Sequence, residues 1–365
     1  MLNVLLLVFI NKEPISVLQS IDKKFIIIPV LILLLLSISK SFGENLNTQN
    51  GIITLMYHRF DENKYPSTNI KVEIFKAQLL LAKKAEIEFI SFDKFKKIIK
   101  NEIDKNYLLL TIDDAFSSFY ENAWPILEKK KIPFVLFVST KEIGKYGYMS
   151  WQQIKEISKS NLVTIGNHSH SHDYLIDWES EKIKSDIETS IKIFKKQLNY
   201  SPKIFSYPFG EYSSNLKKII SDFGFDFAFG QHSGVIDPTK DFLELPRFPI
   251  NEKYGNLKRF KNILKTLPFP YKNITPKNRY LEDKNNPPEV KIEFFNNLIN
   301  IRNVNCYSNE GNIWRKSNIK FISENELIIL IEEKFKSERG RINCSLNEGG
   351  GRWRWLGIQY VVEGY

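Results

Sequence analysis

The chain has 365 residues, 42% of them hydrophobic and 26% charged, which supplies a packed core and excludes a disordered polymer. A net charge of +10 is too modest to mark a nucleic-acid protein, and no nucleic-acid partner is expected. Two cysteines exclude a disulfide scaffold and any four-thiolate zinc module, so Cys306 and Cys344 could form one bridge at most. In chain order, Lys23 and Lys24 precede an unbroken apolar run from Phe25 to Leu36, followed by Ser37, Ser39, Ser41 and Gly43. This positive, apolar, small-residue order is that of a secretory signal. The run falls short of the roughly 20 residues of a bilayer helix. Residues 1–43 therefore read as a signal peptide ahead of an uncleaved membrane anchor or a buried core helix. The expected location is exported: periplasm, cell envelope or extracellular.

After the leader, strand and helix patterns alternate. Ile52 to Tyr57, Tyr107 to Ile112, Pro133 to Ser139, Leu162 to Ile165, Ile204 to Tyr207 and Phe225 to Phe229 read as strands. Between them Val72 to Ala85, Ser117 to Lys130, Trp151 to Ser158, Glu179 to Leu198 and Ser214 to Phe223 read as helices. This alternation implies a parallel sheet covered by helices, closed or nearly closed into a barrel over residues 44–252, with its site at the strand C-termini. From Lys253 to Arg279 the chain carries eight Lys or Arg and no acid. Within it Leu257, Phe260, Ile263, Leu264 and Leu267 oppose Lys258, Arg259, Lys261 and Lys265, a basic amphipathic helix. Such a helix caps the barrel or meets anionic lipid or an acidic envelope polymer. With Pro268, Pro270, Pro276, Pro287 and Pro288, residues 253–288 read as helix and stiff linker. Residues 289–365 read as a small β-rich domain, in which Trp353 and Trp355 share a strand face, either to stack on sugar rings or to fill a core.

Four stretches of the first domain carry chemistry. The apolar strand Leu108 to Leu110 ends in Thr111-Ile112-Asp113-Asp114, two carboxylates facing opposite ways at a strand C-terminus, unless they only cap the next helix. Gly166 to His172 places three of the five histidines within five residues, and His168 and His172, four apart, would face the same way on a helical turn and close on one metal ion. With Asp114 they make a two-His, one-carboxylate set open to water and substrate, suited to zinc and also to cobalt, nickel, iron or manganese. Asp113, outside that set, is placed as general base on a metal-bound water. Phe205 to Gly210 holds a Pro-Phe-Gly turn whose backbone N–H groups could face an oxyanion, or a plain turn. In Leu245 to Pro249, Arg247 could pair with a site carboxylate or lie on the surface.

Thr111-Ile112-Asp113-Asp114, His168-Ser169-His170-Ser171-His172 and Tyr207-Pro208-Phe209-Gly210, in this order, resemble the polysaccharide deacetylase family, carbohydrate esterase family 4 with the NodB homology fold, over about residues 52–250. The resemblance implies a distorted (β/α)7 barrel and an N-acetylated polysaccharide or oligosaccharide as substrate. It also implies Asp113 as base and Asp114, His168 and His172 as metal ligands. Met56-Tyr57-His58-Arg59 resembles the exported poly-N-acetylglucosamine-type branch. There are departures: Ile112 and Ala115 replace the usual Phe and Gly, and Ser206 stands where many members carry the Arg that orients the base, which makes Arg247 the candidate replacement. No His follows His232, so the usual late acid is missing, and His58 at the end of the first strand is the candidate general acid ahead of His232. The implied reaction is hydrolysis of N-acetylhexosamine acetamides, with the Phe209 N–H at the oxyanion. A carbohydrate-binding protein on a retired barrel and a hydrolase of a small amide are the other readings.

Overall fold

The computed structural model describes residues 50–295 and 299–365, so the leader expectations for residues 1–43 lie outside the described residues. Strands β1 (Ile52–Tyr57), β2 (Tyr107–Ile112) and β3 (Phe134–Val138) are buried along their whole length, as continuous apolar runs must be when one face meets the barrel interior and the other meets helices. They continue in parallel register through β4 (Val163–Asn167), β5 (Ile204–Ser206) and β6 (Phe227–Phe229). A short β7 (Val235–Ile236) runs antiparallel to β1, and β8 (Phe248–Pro249) parallel to it. The turn from β6 to β1 is made by residues 245–249: Leu245 bridges Phe229, while Phe248 and Pro249 pair with Leu55 and Met56. That segment closes the barrel and carries Arg247 between its two pairings.

Helices α1 (Val72–Lys84), α2 (Phe92–Ile98), α3 (Trp124–Lys130), α4 (Trp151–Ile157), α5 (Ser180–Leu198), α6 (Ser214–Asp222) and α7 (Leu257–Ile263) are set by local signals. Ser91, Ser150, Ser213 and Asn256 each accept a backbone N–H at the start of α2, α4, α6 and α7, and α3 and α5 end on left-handed Lys131 and Asn199. The helix expected over Ser117 to Lys130 instead opens with a wide π turn, Phe119–Ala123, before α3, which has Pro125 in its first turn. Helix α2 has no counterpart among the elements expected from the sequence.

The expected linker of residues 253–288 is the largest correction. Helix α7 is seven residues long and sends Phe260, Ile263 and the following Leu264 into the barrel core. The Arg259 guanidinium donates to the Pro249 and Tyr254 carbonyls (3.1 and 2.7 Å), so it closes a backbone loop, while Lys258, Lys261 and Lys265 are exposed. Beyond the helix, Thr266–Leu267, Tyr271–Thr275 and Tyr280–Leu281 are strands of the C-terminal domain. Two of the prolines, Pro268 and Pro276, follow directly on strand ends, where no ladder donor is required. Among the described residues no helix is long and apolar enough to cross a membrane.

That domain stacks one sheet built on Arg339–Asn347 and Trp353–Val362 against another built on Tyr271–Thr275, Val290–Phe294, Glu326–Leu330 and Asn318–Phe321. Alternation in Val290–Phe294 sends Val290, Ile292 and Phe294 into a core shared with Leu327, Ile342 and Ile358. Cys306 and Cys344 face each other in register and are disulfide-bonded. The domain docks on the barrel through the Gly357 N–H, which donates to the Ser233 carbonyl at 2.6 Å, and through Trp355, half-buried against the barrel core. A Cβ on Gly357 would lie 2.7 Å from Ser233 backbone atoms, so only glycine allows this approach. Trp353 is left exposed; the pair shares a face, but Trp355 is committed to packing.

Candidate functional site

Strand β2 runs out at Ile112, and the Asp113 N–H still pairs with the Tyr57 carbonyl, which fixes Asp113 in strand register. Asp114 and Ala115 then turn sharply, with left-handed φ of 72° and 56°. Adjacent carboxylates are thereby aimed apart. Both are buried, and neither caps a helix: they face histidines and an arginine.

The histidine loop follows β4. It is not the helical turn expected from the spacing, because Ser169 and His172 are left-handed (66° and 56°). Side chains beneath the loop replace helical hydrogen bonds: Asp186 of α5 accepts the His170 and Ser171 N–H groups (2.7 and 3.0 Å), and Asn167 accepts that of Ser169 (2.8 Å). Ser139 donates to the His168 carbonyl at 2.8 Å. The loop brings His168 Nε2 and His172 Nε2 to 3.4 and 3.2 Å from Asp114 Oδ1, all three atoms within 4.8 Å of one another. His170 turns away to Thr140 Oγ1 at 2.8 Å.

This trio suits a divalent ion on its own chemistry. The His168 Nδ1–H donates to the Ser206 carbonyl at 2.7 Å, which leaves the Nε2 lone pair for a ligand. Asp114 Oδ1 is buried with no hydrogen-bond donor. Burial alone would raise its pKa, yet the His172 and His168 imidazoles hold it well below the carboxylate range, and Asp114 in turn lifts His172 against the effect of burial.

Asp113 belongs to a second, fully buried cluster. Arg247 Nη1 donates to its Oδ1 at 2.7 Å, Nη2 to Ser206 Oγ at 2.9 Å, and Nε to the Gly230 carbonyl at 2.8 Å. Ser206 Oγ lies 3.3 Å from Asp113 Oδ2, the oxygen Arg247 leaves open, which is 3.9 Å from His168 Nε2. Burial opposes ionisation of Asp113, but Arg247, with His168 and His58, outweighs it and keeps the carboxyl below its ordinary pKa. Ser206 thus stands in contact with both Asp113 and Arg247.

The other residues singled out in the sequence lie at different distances from this centre. His58, half-buried at the end of β1, feels Asp114 and Asp113; burial, with Arg247 and His168, still lowers its pKa. His232 lies elsewhere: it borders a small space with Lys240, Tyr271 and Trp355, between the barrel and the C-terminal domain. Its Nδ1 is buried without a partner, and burial pushes its pKa down to about 4. Phe209 is left-handed (φ 57°), stacks on Tyr174 at 4.1 Å, and meets the His172 ring edge-on at 4.8 Å. Beside the trio a cavity of ≈ 290 Å³ is lined by Phe116, Ser139, Glu142 and Tyr148. Asp186 was missed in the sequence, although it and Ser190 are polar residues inside the otherwise apolar stripe Ile183, Ile187, Phe194 of α5. That interruption was the available signal.

Residues 100–228 match the family model described as polysaccharide deacetylase. This segment belongs to that family. The deacetylase domain is similar to the poly-beta-1,6-N-acetyl-D-glucosamine N-deacetylase of Staphylococcus aureus (strain MSSA476), 25% identical over 272 residues, covering 63% of this chain and 93% of that protein. The protein of the same description from Staphylococcus epidermidis is 23% identical over 216 residues, covering 55% and 74%. Among solved structures, IcaB from Ammonifex degensii superposes with a TM-score of 0.54 at 24% identity, covering 60% of this chain and 99% of its own. Streptococcus pyogenes deacetylase PplD in complex with acetate gives 0.52 at 23%, covering 57% and 95%. At these identities the structural likeness establishes the NodB-type barrel. His58 and Arg247 lie outside the matched segment, so the family model is silent on them.

Proposed function

We propose that the protein is an exported, metal-dependent deacetylase that hydrolyses the N-acetyl groups of N-acetylhexosamine units in a polysaccharide. The observation that carries this reading is the unsatisfied Asp114 Oδ1 between two imidazole Nε2 atoms, with an ionised, arginine-held Asp113 alongside. Asp114, His168 and His172 would hold the ion, zinc first by ligand type and cobalt, nickel, iron or manganese otherwise. A divalent ion bound there acidifies water and polarises a carbonyl. Asp113 takes the proton of the attacking water on Oδ2, since Oδ1 is occupied by Arg247. The Phe209 N–H assists the carbonyl oxygen as charge develops on it, and His58 gives its proton to the nitrogen as the C–N bond breaks. Water is consumed, and acetate and an amino sugar are released.

Poly-N-acetylglucosamine is the first substrate to try, because the relatives are described as deacetylases of that polymer. Export is supported by the leader pattern of residues 1–43 and by the Cys306–Cys344 disulfide, a bond that persists in oxidising compartments. The test is acetate release from poly-N-acetylglucosamine, chitin oligomers and peptidoglycan, with and without chelator. Release that chelator abolishes and added metal restores is expected. No release from any of them would instead favour a carbohydrate-binding protein.

A further inference from the structure

We propose that Arg339, from the C-terminal β domain, is a positioning residue of the active site: through Glu211 it holds the Pro208–Gly210 turn, and hence Phe209, against His172. The proposal rests on the reading of that site as a deacetylase. Arg339 opens the strand Arg339–Asn347 and reaches across to the barrel, where Nε meets Glu211 Oε1 at 2.7 Å, while Nη1 meets Glu338 Oε2 of its own domain at 3.0 Å. Its guanidinium carbon lies 6.0 Å from the Phe209 ring centre. Glu211 directly follows the turn, donates its N–H to the Pro208 carbonyl, and is 3% exposed. The turn has little freedom to shift: Phe209 is left-handed, and a Cβ on Gly210 would fall 2.4 Å or less from Gln231. From Arg339 the path to the metal set is therefore Glu211, Phe209, His172.

The domain does not require this ion pair to dock. Gly357 already bonds Ser233, Lys240 Nζ bonds the Phe269 carbonyl at 3.0 Å, and Arg279 meets Glu244 at 3.4 Å. A buried ion pair contributes little net stability, whereas removing one partner strands the other. Glu211 Oε2 is already without a hydrogen-bond partner, and burial has pushed its carboxyl up to about 7, with Arg339 drawing it back. Without Arg339, relief comes only from protonation or from movement of the turn, and movement of the turn displaces Phe209.

The test uses the full chain loaded with metal and a short N-acetylglucosamine oligomer. Arg339→Met should lower kcat by about 10- to 100-fold, the usual consequence of misplacing a site element. KM should stay within about twofold, because no substrate contact is removed. Bound metal and far-UV circular dichroism should be unchanged, and Arg339→Lys should recover most of the lost kcat, since it restores a cation beside Glu211. Hydrogen exchange of the peptide spanning Ser206 to Tyr212, measured without substrate, should quicken in Arg339→Met and not in Arg339→Lys. Wild-type kcat and wild-type exchange in Arg339→Met would overturn the proposal. A raised KM with intact kcat would also overturn it, by making Arg339 a substrate contact. If the wild-type chain releases no acetate, the deacetylase reading falls, and the exchange measurement still decides whether Arg339 holds the turn.

Discussion

Arg247→Met is the most informative perturbation of Asp113, the proposed base. It keeps side-chain length and apolar body but removes the guanidinium donors to Asp113, Ser206 and the Gly230 carbonyl, leaving Ser206 Oγ as a donor to Asp113 Oδ2. Arg247 and Asp113 are both fully buried, 2.7 Å apart. Opposite charges about 4 Å apart attract by about 4 kcal/mol at an effective dielectric constant of about 20. Breaking a buried pair similarly costs about 3–5 kcal/mol. In the wild type Arg247 depresses the Asp113 pKa, so Asp113 contributes stability above its unfolded value, and this is lost as pH falls through the folded one. In the variant burial is opposed only by the weaker attraction of His168 and His58, and that pKa rises. The penalty is then largest at neutral pH and shrinks as acid protonates the carboxyl. Urea unfolding of metal-free wild type and variant should show the stability gap at about pH 7.5 narrowing toward about pH 4.5. The acid limb of kcat/KM should move to higher pH, with turnover at neutral pH down by about 10²- to 10⁴-fold as the base is lost. An equal stability gap at both pH values, with an unmoved acid limb, would show that Arg247 does not set the charge of Asp113.

Three further outcomes follow from the same geometry. His168→Ala, His172→Ala and Asp114→Ala should each lose most bound metal, whereas Asp113→Asn should keep metal and lose turnover; metal analysis finding Asp113→Asn as empty as His168→Ala would reverse these roles. In the pH profile of kcat/KM, His58→Ala should abolish the alkaline limb with metal retained. His232→Ala should leave that limb in place, since an imidazole pushed down to about 4 is already neutral where the limb lies. Replacing Cys306 and Cys344 with alanine should cost about 4 kcal/mol for a loop closed by residues 38 apart, read as a lower urea midpoint of the C-terminal domain with acetate release per folded molecule intact.

What was legible in the sequence is what local pattern encodes. Continuous apolar runs marked β1, β2 and β3, and placed Asp113 and Asp114 where a barrel strand ends. Three histidines within five residues marked His168 and His172 as candidate metal ligands, but the loop that aims them is not helical. Its left-handed Ser169 and His172 depend on Asp186, a helix side chain 16 residues from His170. From sequence alone residues 266–281 read as linker, because strands of two to five residues have little periodicity of their own; only their partners in the C-terminal sheets define them.

Local pattern specified the strands that carry the site, to within about two residues at their ends, together with the donor types and their order along the chain, because each depends on side chains a few residues apart. Tertiary structure decided which distant groups meet them. Arg247 reaches Asp113 across 134 residues because the segment from Leu245 to Pro249 pairs with β6 at one end and β1 at the other, and so closes the barrel with Arg247 facing inward. Arg339 reaches Glu211 across 128 residues because the C-terminal sheet docks where Gly357 permits a close approach to Ser233. Hydrophobic periodicity specifies which face of an element is buried and is blind to which buried charge on another element it will meet, since that is settled only when the elements pack.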